Sequence, residues 1–297
     1  MALLEVLNSV KMNQGVAAPR LLPVDGIDDS NWEMIVIADG TDNWQDMTGK
    51  HTLTVRGTPA LISGQIGFIG TKDDYLESDF KETDWDADQD FVAVTLGRFV
   101  QDDTYSTVSL MGSISGSDPT DFRGFSMGLQ RFTSPTTGIR NTMSVSRVRS
   151  GTEFRQALFP SHSEAIADVS RYRLQIMRVR HVARTIESFA FDGYDGTGAL
   201  NVESFTFLST DTLTGRLQAN TNICFGTHNG YTGSDQCQFV MGALYKGDVS
   251  DEQIRNLANS IRAQFSSTKT IDGEAVSGGI SALRGMTPFD LYTPALT

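Results

Sequence analysis

The residues best equipped for chemistry in this chain are carboxylates. Between Asp73 and Asp90 there are nine acids and one lysine, and Glu77 and Glu82 lie within that run. Two carboxyl groups flanking one bond are what glycoside hydrolysis requires, one as general acid and one as base or nucleophile. A competing reading is structural. Several carboxylates buried without partners would rise in pKa and cost stability, so a run this acidic is expected as a solvated loop or sheet edge.

Clustered acids also suit calcium, a hard cation that collects carboxylate and carbonyl oxygens. Candidate ligands are Asp39, Asp42 and Asp46 in one loop, Asp73 and Asp74 in a second, and Asp192 and Asp195 in the turn Asp-Gly-Tyr-Asp-Gly. No EF-hand spacing joins them, and Asp-Gly pairs are also ordinary turn formers. Sugar recognition would need exposed rings beside acids and amides, because a sugar's apolar face stacks while its hydroxyls bond polar groups. Tyr194, His228, Asn229, Tyr231 and Asp235 have that composition, and Trp44 is available in the first loop. The four histidines, His51, His162, His181 and His228, show no metal-ligand spacing and read as surface or packing residues. Cys224 and Cys237 are expected as two buried free thiols.

Charge limits the partners. Twenty-four Lys and Arg against 36 Asp and Glu give a formal net charge of −12 over 297 residues, which opposes binding to nucleic acid through phosphate neutralisation. The positive charge is itself concentrated: from Arg140 to Arg184 there are nine arginines against Glu153, Glu164 and Asp168. Such separation suits subunit contacts, where arginine pairs bidentately with carboxylates. Nothing approaches the roughly 18 uninterrupted apolar residues of a spanning helix. Met1 to Val10 lacks the basic region of a secretion signal, so the protein is expected to be made in the cytoplasm and to insert in no membrane.

The elements that must position these residues are mostly strands. Leu53 and Val55 alternate with Thr52, Thr54 and Arg56, the pattern of a half-buried strand, whereas Phe91 to Val100 is apolar on both phases and belongs in a sheet covered on both sides. Further strands are expected at 32–38, 106–111, 124–131, 141–149, 171–182, 189–192, 204–208 and 222–226, with no interleaved helices. That makes two packed antiparallel sheets. The single helix follows the apolar strand from Phe239. Ser250 caps it, Gln253 completes a capping box, and Ile254, Leu257, Ala258, Ile261 and Phe265 share one face. Residues 1–31 and 266–297 have too few apolar positions for cores of their own and are expected as terminal arms, ordered by lying on neighbouring subunits.

Three stretches carry a family resemblance. Thr48 to Gly57, Gly67 to Glu77 (Gly-Phe-Ile-Gly-Thr-Lys-Asp-Asp-Tyr-Leu-Glu), and the strand-turn-helix Phe239 to Phe265 resemble the laminin-G-like jelly rolls of the concanavalin A-like lectin/glucanase superfamily. The resemblance implies an all-β, two-sheet antiparallel jelly-roll sandwich over residues 32–265, with one short C-terminal helix and extended terminal arms. Superfamily glycosidases carry Glu-x-Asp-x-x-Glu on a bulged strand, and Glu77-Ser78-Asp79-Phe80-Lys81-Glu82 has that spacing. Ser78 and Lys81, however, stand where such an enzyme places apolar residues. Laminin-G-like domains often hold calcium on their loops, which bears on Asp39, Asp42, Asp73 and Asp74. The arms and the missing signal look less like secreted animal members than like jelly rolls built into bacteriophage virions. The expectation is therefore a non-enzymatic virion subunit, a head decoration, fibre or tail appendage. Its partners would be other virion proteins, copies of itself through the arms, and cell-surface glycan. The alternatives are a carbohydrate-binding adhesin without a structural role and a glycoside hydrolase using Glu77 and Glu82.

Overall fold

In the computed structural model, the residues described are 26–38, 40, 42–62, 66–100, 105–115, 123–133, 140–150, 153–159, 163–164, 173–183, 185–191, 200–206, 218–228, 235–265, 268–271 and 274–277. The strands are β1 Trp32–Ile37, β2 Leu53–Arg56, β3 Ala60–Leu61, β4 Phe68–Gly70, β5 Tyr75–Lys81, β6 Phe91–Phe99, β7 Tyr105–Ser115, β8 Arg123–Thr133 and β9 Arg140–Ser150. They continue with β10 Glu153–Phe159, β11 Ser163–Glu164, β12 Arg173–Arg180, β13 Thr185–Phe191, β14 Leu200–Thr206, β15 Asn222–Phe225 and β16 Cys237–Lys246. The helix α1, Asp251–Phe265, follows, and a hairpin of β17 Thr268–Ile271 and β18 Glu274–Ser277 lies in the span expected as an arm.

Two antiparallel sheets face each other, as expected. The helix-side sheet runs β14-β13-β12-β6-β16-β4-β3, with β1 also paired to β16; the opposite sheet runs β10-β9-β8-β7-β15-β5-β2, with β11 on β9. β6 and β16 form the centre of the first sheet and are buried almost throughout. Their faces divide by alternation. Val92, Val94 and Leu96 join Ala243 and Tyr245 in the layer under the helix, while Phe91, Ala93, Phe239 and Leu244 point into the layer between the sheets. The sheets approach closely at Gly242, where a Cβ would lie 2.6 Å from the Phe225 ring, so only glycine fits.

The helix begins where its capping box dictates. The Ser250 amide donates to Gln253 Oε1 at 2.7 Å, and the Gln253 amide donates back to Ser250 Oγ at 3.2 Å. Ile254, Leu257, Ala258 and Ile261 are fully buried against the sheet. Burial of each of the three larger side chains contributes roughly 2 kcal/mol. The Gln253 side chain also donates to the Gly26 carbonyl, which ties the chain entering β1 to the first helical turn.

Candidate functional site

The middle of the acidic run, Tyr75–Lys81, is the strand β5, while Asp73 before it and Asp84, Asp86 and Asp88 after it are exposed, as a solvated run would be. β5 pairs with β15 on one side and β2 on the other, so it lies within the opposite sheet. Alternation sorts its side chains: Leu76, Ser78 and Phe80 are buried, whereas Glu77 and Asp79 face outward. Glu77 is held by Arg56, whose Nε and Nη2 both lie 2.5 Å from Oε2, and its other oxygen accepts from Asn222 Nδ2 at 3.2 Å. Ser78 donates to the Ile223 carbonyl at 3.0 Å. Glu82 begins a short 3-10 turn just past the strand and is 2% exposed. Burial pushes its carboxyl up to about 8, against the opposing pull of the Ala219 backbone, the Ser113 hydroxyl and the Phe125 backbone. Glu82 therefore keeps its proton at neutral pH. Glu77 faces outward from β5 against Arg56, and Glu82, past the end of the strand, is turned into the interior. No single cleft receives both.

Beside this strand sits a polar clasp that links the sheets. His51 Nε2 lies 2.7 Å from Glu33 Oε1 on β1, and Nδ1 lies 3.0 Å from Asp79 Oδ1 on β5. Its ring tilts over Phe80 with centroids 4.9 Å apart. The second oxygen of Glu33 accepts from the Trp85 indole at 3.1 Å. Burial pushes the Glu33 carboxyl up, but the hydrogen bonds from His51 and Trp85 and the charge of Lys50 outweigh it and hold the group below its ordinary value. With both ring nitrogens engaged and no hydroxyl or thiol in the set, the clasp is an orienting device and not a nucleophile-base pair.

The loop before the clasp is organised by Asp46, one of the candidate calcium ligands. Its carboxylate accepts from the amides of Ile35 at 2.9 Å, Thr48 at 3.1 Å, Lys50 at 3.1 Å and His51 at 3.0 Å, and from the Thr48 hydroxyl at 2.6 Å. Those donors fill the lone pairs a cation would use. Replacing Asp46 with alanine is expected to cost about 2 kcal/mol, because the buried Ile35 amide and three part-buried amides lose their acceptor. A urea midpoint matching the parent's would show that the loop is held by other contacts. Asp74 serves similarly, accepting from the Thr58 amide at 2.8 Å and the Thr71 hydroxyl at 3.0 Å. Asp73 pairs with Lys72 at 2.7 Å, Asp42 is exposed, and Asp39, Asp192 and Asp195 lie outside the described residues. Among the described residues no three His, Cys, Asp or Glu converge as a metal site.

The sugar-binding candidates are only partly visible. His228 is buried, and Asp235 accepts from the Thr107 amide at 2.9 Å, fastening the loop to β7. Tyr194, Asn229 and Tyr231 lie outside the described residues. Cys224 and Cys237 are free and buried, as expected, and stand on different sheets.

The arginine-rich region supplies a residue that sequence patterning did not single out. Arg178 on β12 is 3% exposed at its side chain and bonds Glu187 at 2.6 Å, Asp251 at 2.8 Å and the Val249 carbonyl at 2.5 Å. Its guanidinium also lies 5.0 Å from the Phe189 ring centre. One side chain thereby joins two strands to the first turn of α1. The signal in the sequence was an arginine beside the apolar residues Ile176, Met177 and Val179 of one strand.

No family model matches the chain, and no curated protein matches it. Solved structures do. The botulinum neurotoxin serotype D binding domain superposes with a TM-score of 0.52 at 11% identity, covering 83% of this chain and 55% of that one. The binding domain of botulinum neurotoxin DC, solved in complex with rat synaptotagmin II, gives 0.55 at 11% identity over 83% and 55%. A botulinum neurotoxin type C structure, whose cell entry is described as dependent on two ganglioside molecules, gives 0.51 at 9% identity over 81% and 53%. The chain thus spans about half the length of these domains, and the likeness establishes a shared two-sheet β-sandwich fold.

Proposed function

We propose that this protein is a non-enzymatic recognition and assembly subunit of a bacteriophage virion. In this reading a lectin-like jelly roll, displayed as a head decoration, fibre or tail appendage, contacts cell-surface glycan. The observation that carries its non-enzymatic character is the separation of the two candidate acids, Glu77 on β5 facing out against Arg56 and Glu82 just past it buried and protonated. Paired carboxylates need to share one substrate cleft, and these do not. The neurotoxin domains of the same fold are binding domains, which supports recognition by analogy of fold alone. The virion role rests on the sequence resemblance and on the composition of the expected arms, 1–31 and 266–297. Glycan contact is assigned to the loops bearing Tyr194 and His228 to Asp235, with calcium at Asp39 and Asp42 as a dependence to be tested.

The test is to apply the full chain to a glycan array, with and without a calcium chelator, beside an assay for released sugar. Binding to a subset of glycans without release supports the proposal. Sugar release abolished by Glu77→Gln overturns it in favour of a hydrolase. Deleting residues 266–297 is expected to abolish incorporation into particles; unchanged incorporation would leave a free adhesin as the better reading.

A further inference from the structure

Alternation along β12 sends Met177 and Val179 into the layer between the sheets, and the next residue of that phase is His181, where the strand turns towards β13. An imidazole thus stands where the pattern of the strand calls for an apolar side chain. It is 8% exposed, its ring centre lies 6.0 Å from that of Phe91, and neither ring nitrogen has a hydrogen-bond partner. Phe91 continues inward to Trp85 at 5.6 Å and Phe125 at 5.2 Å, so His181 closes the outer end of an aromatic row. Such a seat accepts only the neutral ring, because an imidazolium would bury a charge and two unsatisfied donors. Burial accordingly pushes the ring down to about 4, against the opposing pull of Asp88.

The ring also has a place to go. Val182 is 76% exposed and Ala183 is exposed, so the turn 181–183 is held at His181 and little else. On its outer side stand Asp88, which is exposed, and Asp90, which is half-buried and accepts from the His181 amide at 2.8 Å. The cations nearby are engaged or set apart. Arg180 pairs with Asp248 at 3.0 Å and Glu187 at 2.9 Å, and Arg178 pairs with Glu187 and Asp251. Lys246 is half-buried across from Phe91 in register, and Arg184 lies outside the described residues.

We propose that the β12–β13 turn is an acid-released latch: neutral His181 seats the turn against Phe91, and on taking up a proton the ring leaves that seat for the carboxylates of Asp88 and Asp90, uncovering the Phe91 end of the aromatic row. The seated ring binds a proton more weakly than the released one. The seat is therefore favoured in full above the ordinary imidazole value of 6.5 and is lost as pH falls towards about 4. Across that window the open turn gains about tenfold in population for each pH unit. Asp90 works in the opposite sense: burial pushes its carboxyl up, so its own protonation favours the closed turn. The latch is independent of the function proposed above, which uses other loops.

Glu82 titrates over an overlapping range with the opposite effect on the whole fold, so the test reads single amides. Hydrogen exchange of the full chain is followed from pH 7 to pH 4.5, each rate corrected for its intrinsic pH dependence. The His181 amide should lose protection about a hundredfold over the two units below pH 6.5, while amides in the middle of β16 keep theirs. His181→Phe fills the seat with a ring that takes no proton and should abolish that loss. The unaltered protein offers a second measurement, the NMR titration of the His181 ring, whose midpoint should fall far below 6.5, towards about 4. A midpoint at the ordinary value would overturn the proposal. So would a His181 amide whose protection ignores acid, a loss shared equally by β16, or a loss that persists in folded His181→Phe.

Discussion

Replacing Glu82 with glutamine is expected to stabilise the protein by roughly 4 kcal/mol at pH 8 and to leave it nearly unchanged at pH 4. The carboxyl titrates near 4.5 when solvated and is pushed up to about 8 by burial. Below pH 4.5 it is protonated in folded and unfolded chains alike, and the fold carries no penalty. Between that pH and about 8 the unfolded chain releases the proton while the folded chain keeps it. Stability therefore falls by about 1.4 kcal/mol for each pH unit across that window, and no further above it. Glutamine keeps the shape and removes the ionisation. A Cβ on Gly124 would lie 3.0 Å from Glu82 Oε1, so the side chain is closely confined. Urea unfolding at several pH values measures the slope directly. If parent and variant curves run parallel from pH 4 to pH 8, Glu82 is solvated and ionised, and a hydrolytic role for β5 would need to be reconsidered.

The second large effect is expected at Arg178, where methionine should cost about 3 kcal/mol. Methionine fills the aliphatic part of the space but leaves Glu187, 13% exposed at its side chain, with only Arg180 at 2.9 Å. The Val249 carbonyl loses its partner at the turn into α1. Adding Glu187→Gln should restore at least about 1 kcal/mol, since the two sites share one interaction and their effects are not additive. Thermal and urea unfolding of the two single variants and the double variant give the coupling. A single variant within about 0.5 kcal/mol of the parent would mean that the arginine is held by packing alone.

How much of this was legible in the sequence depended on where each residue's partner lay. The start of α1 was readable because Ser250 and Gln253 satisfy each other within one turn, and β6 because its apolar residues occupy both phases. β5 was not. Its acids read as a solvated run because their compensation comes from distant residues, Arg56 for Glu77 and His51 for Asp79, and because nothing local shows that Glu82, just past the strand, keeps its proton. The same holds for the site. Asp46 was visible as a loop acid, but donors from β1 and the following turn decide that it clasps backbone. β10 was passed over because Glu-Phe-Arg-Gln-Ala-Leu-Phe does not alternate cleanly, and pairing with β9 makes it a strand. Arg178 was seen as one charge among nine arginines and not as the tie between β12, β13 and α1.

The two cysteines also make the molecule its own gauge of breathing motion. Cys237 sits on β16 with its sulfur against the Ser109 and Gly226 carbonyls, and burial pushes its thiol up to about 12. Cys224 sits on β15 in the facing layer, beside the Asn222 carbonyl. A thiol reagent can reach neither sulfur until its own layer opens, and the thiolate is the reacting species. The two labelling rates, separated by peptide mapping, therefore time two openings in the unaltered protein, parting of the sheets at Cys237 and uncovering of β15 at Cys224. Equal rates would mark the sandwich as one cooperative unit, and unequal rates would identify the layer that yields first.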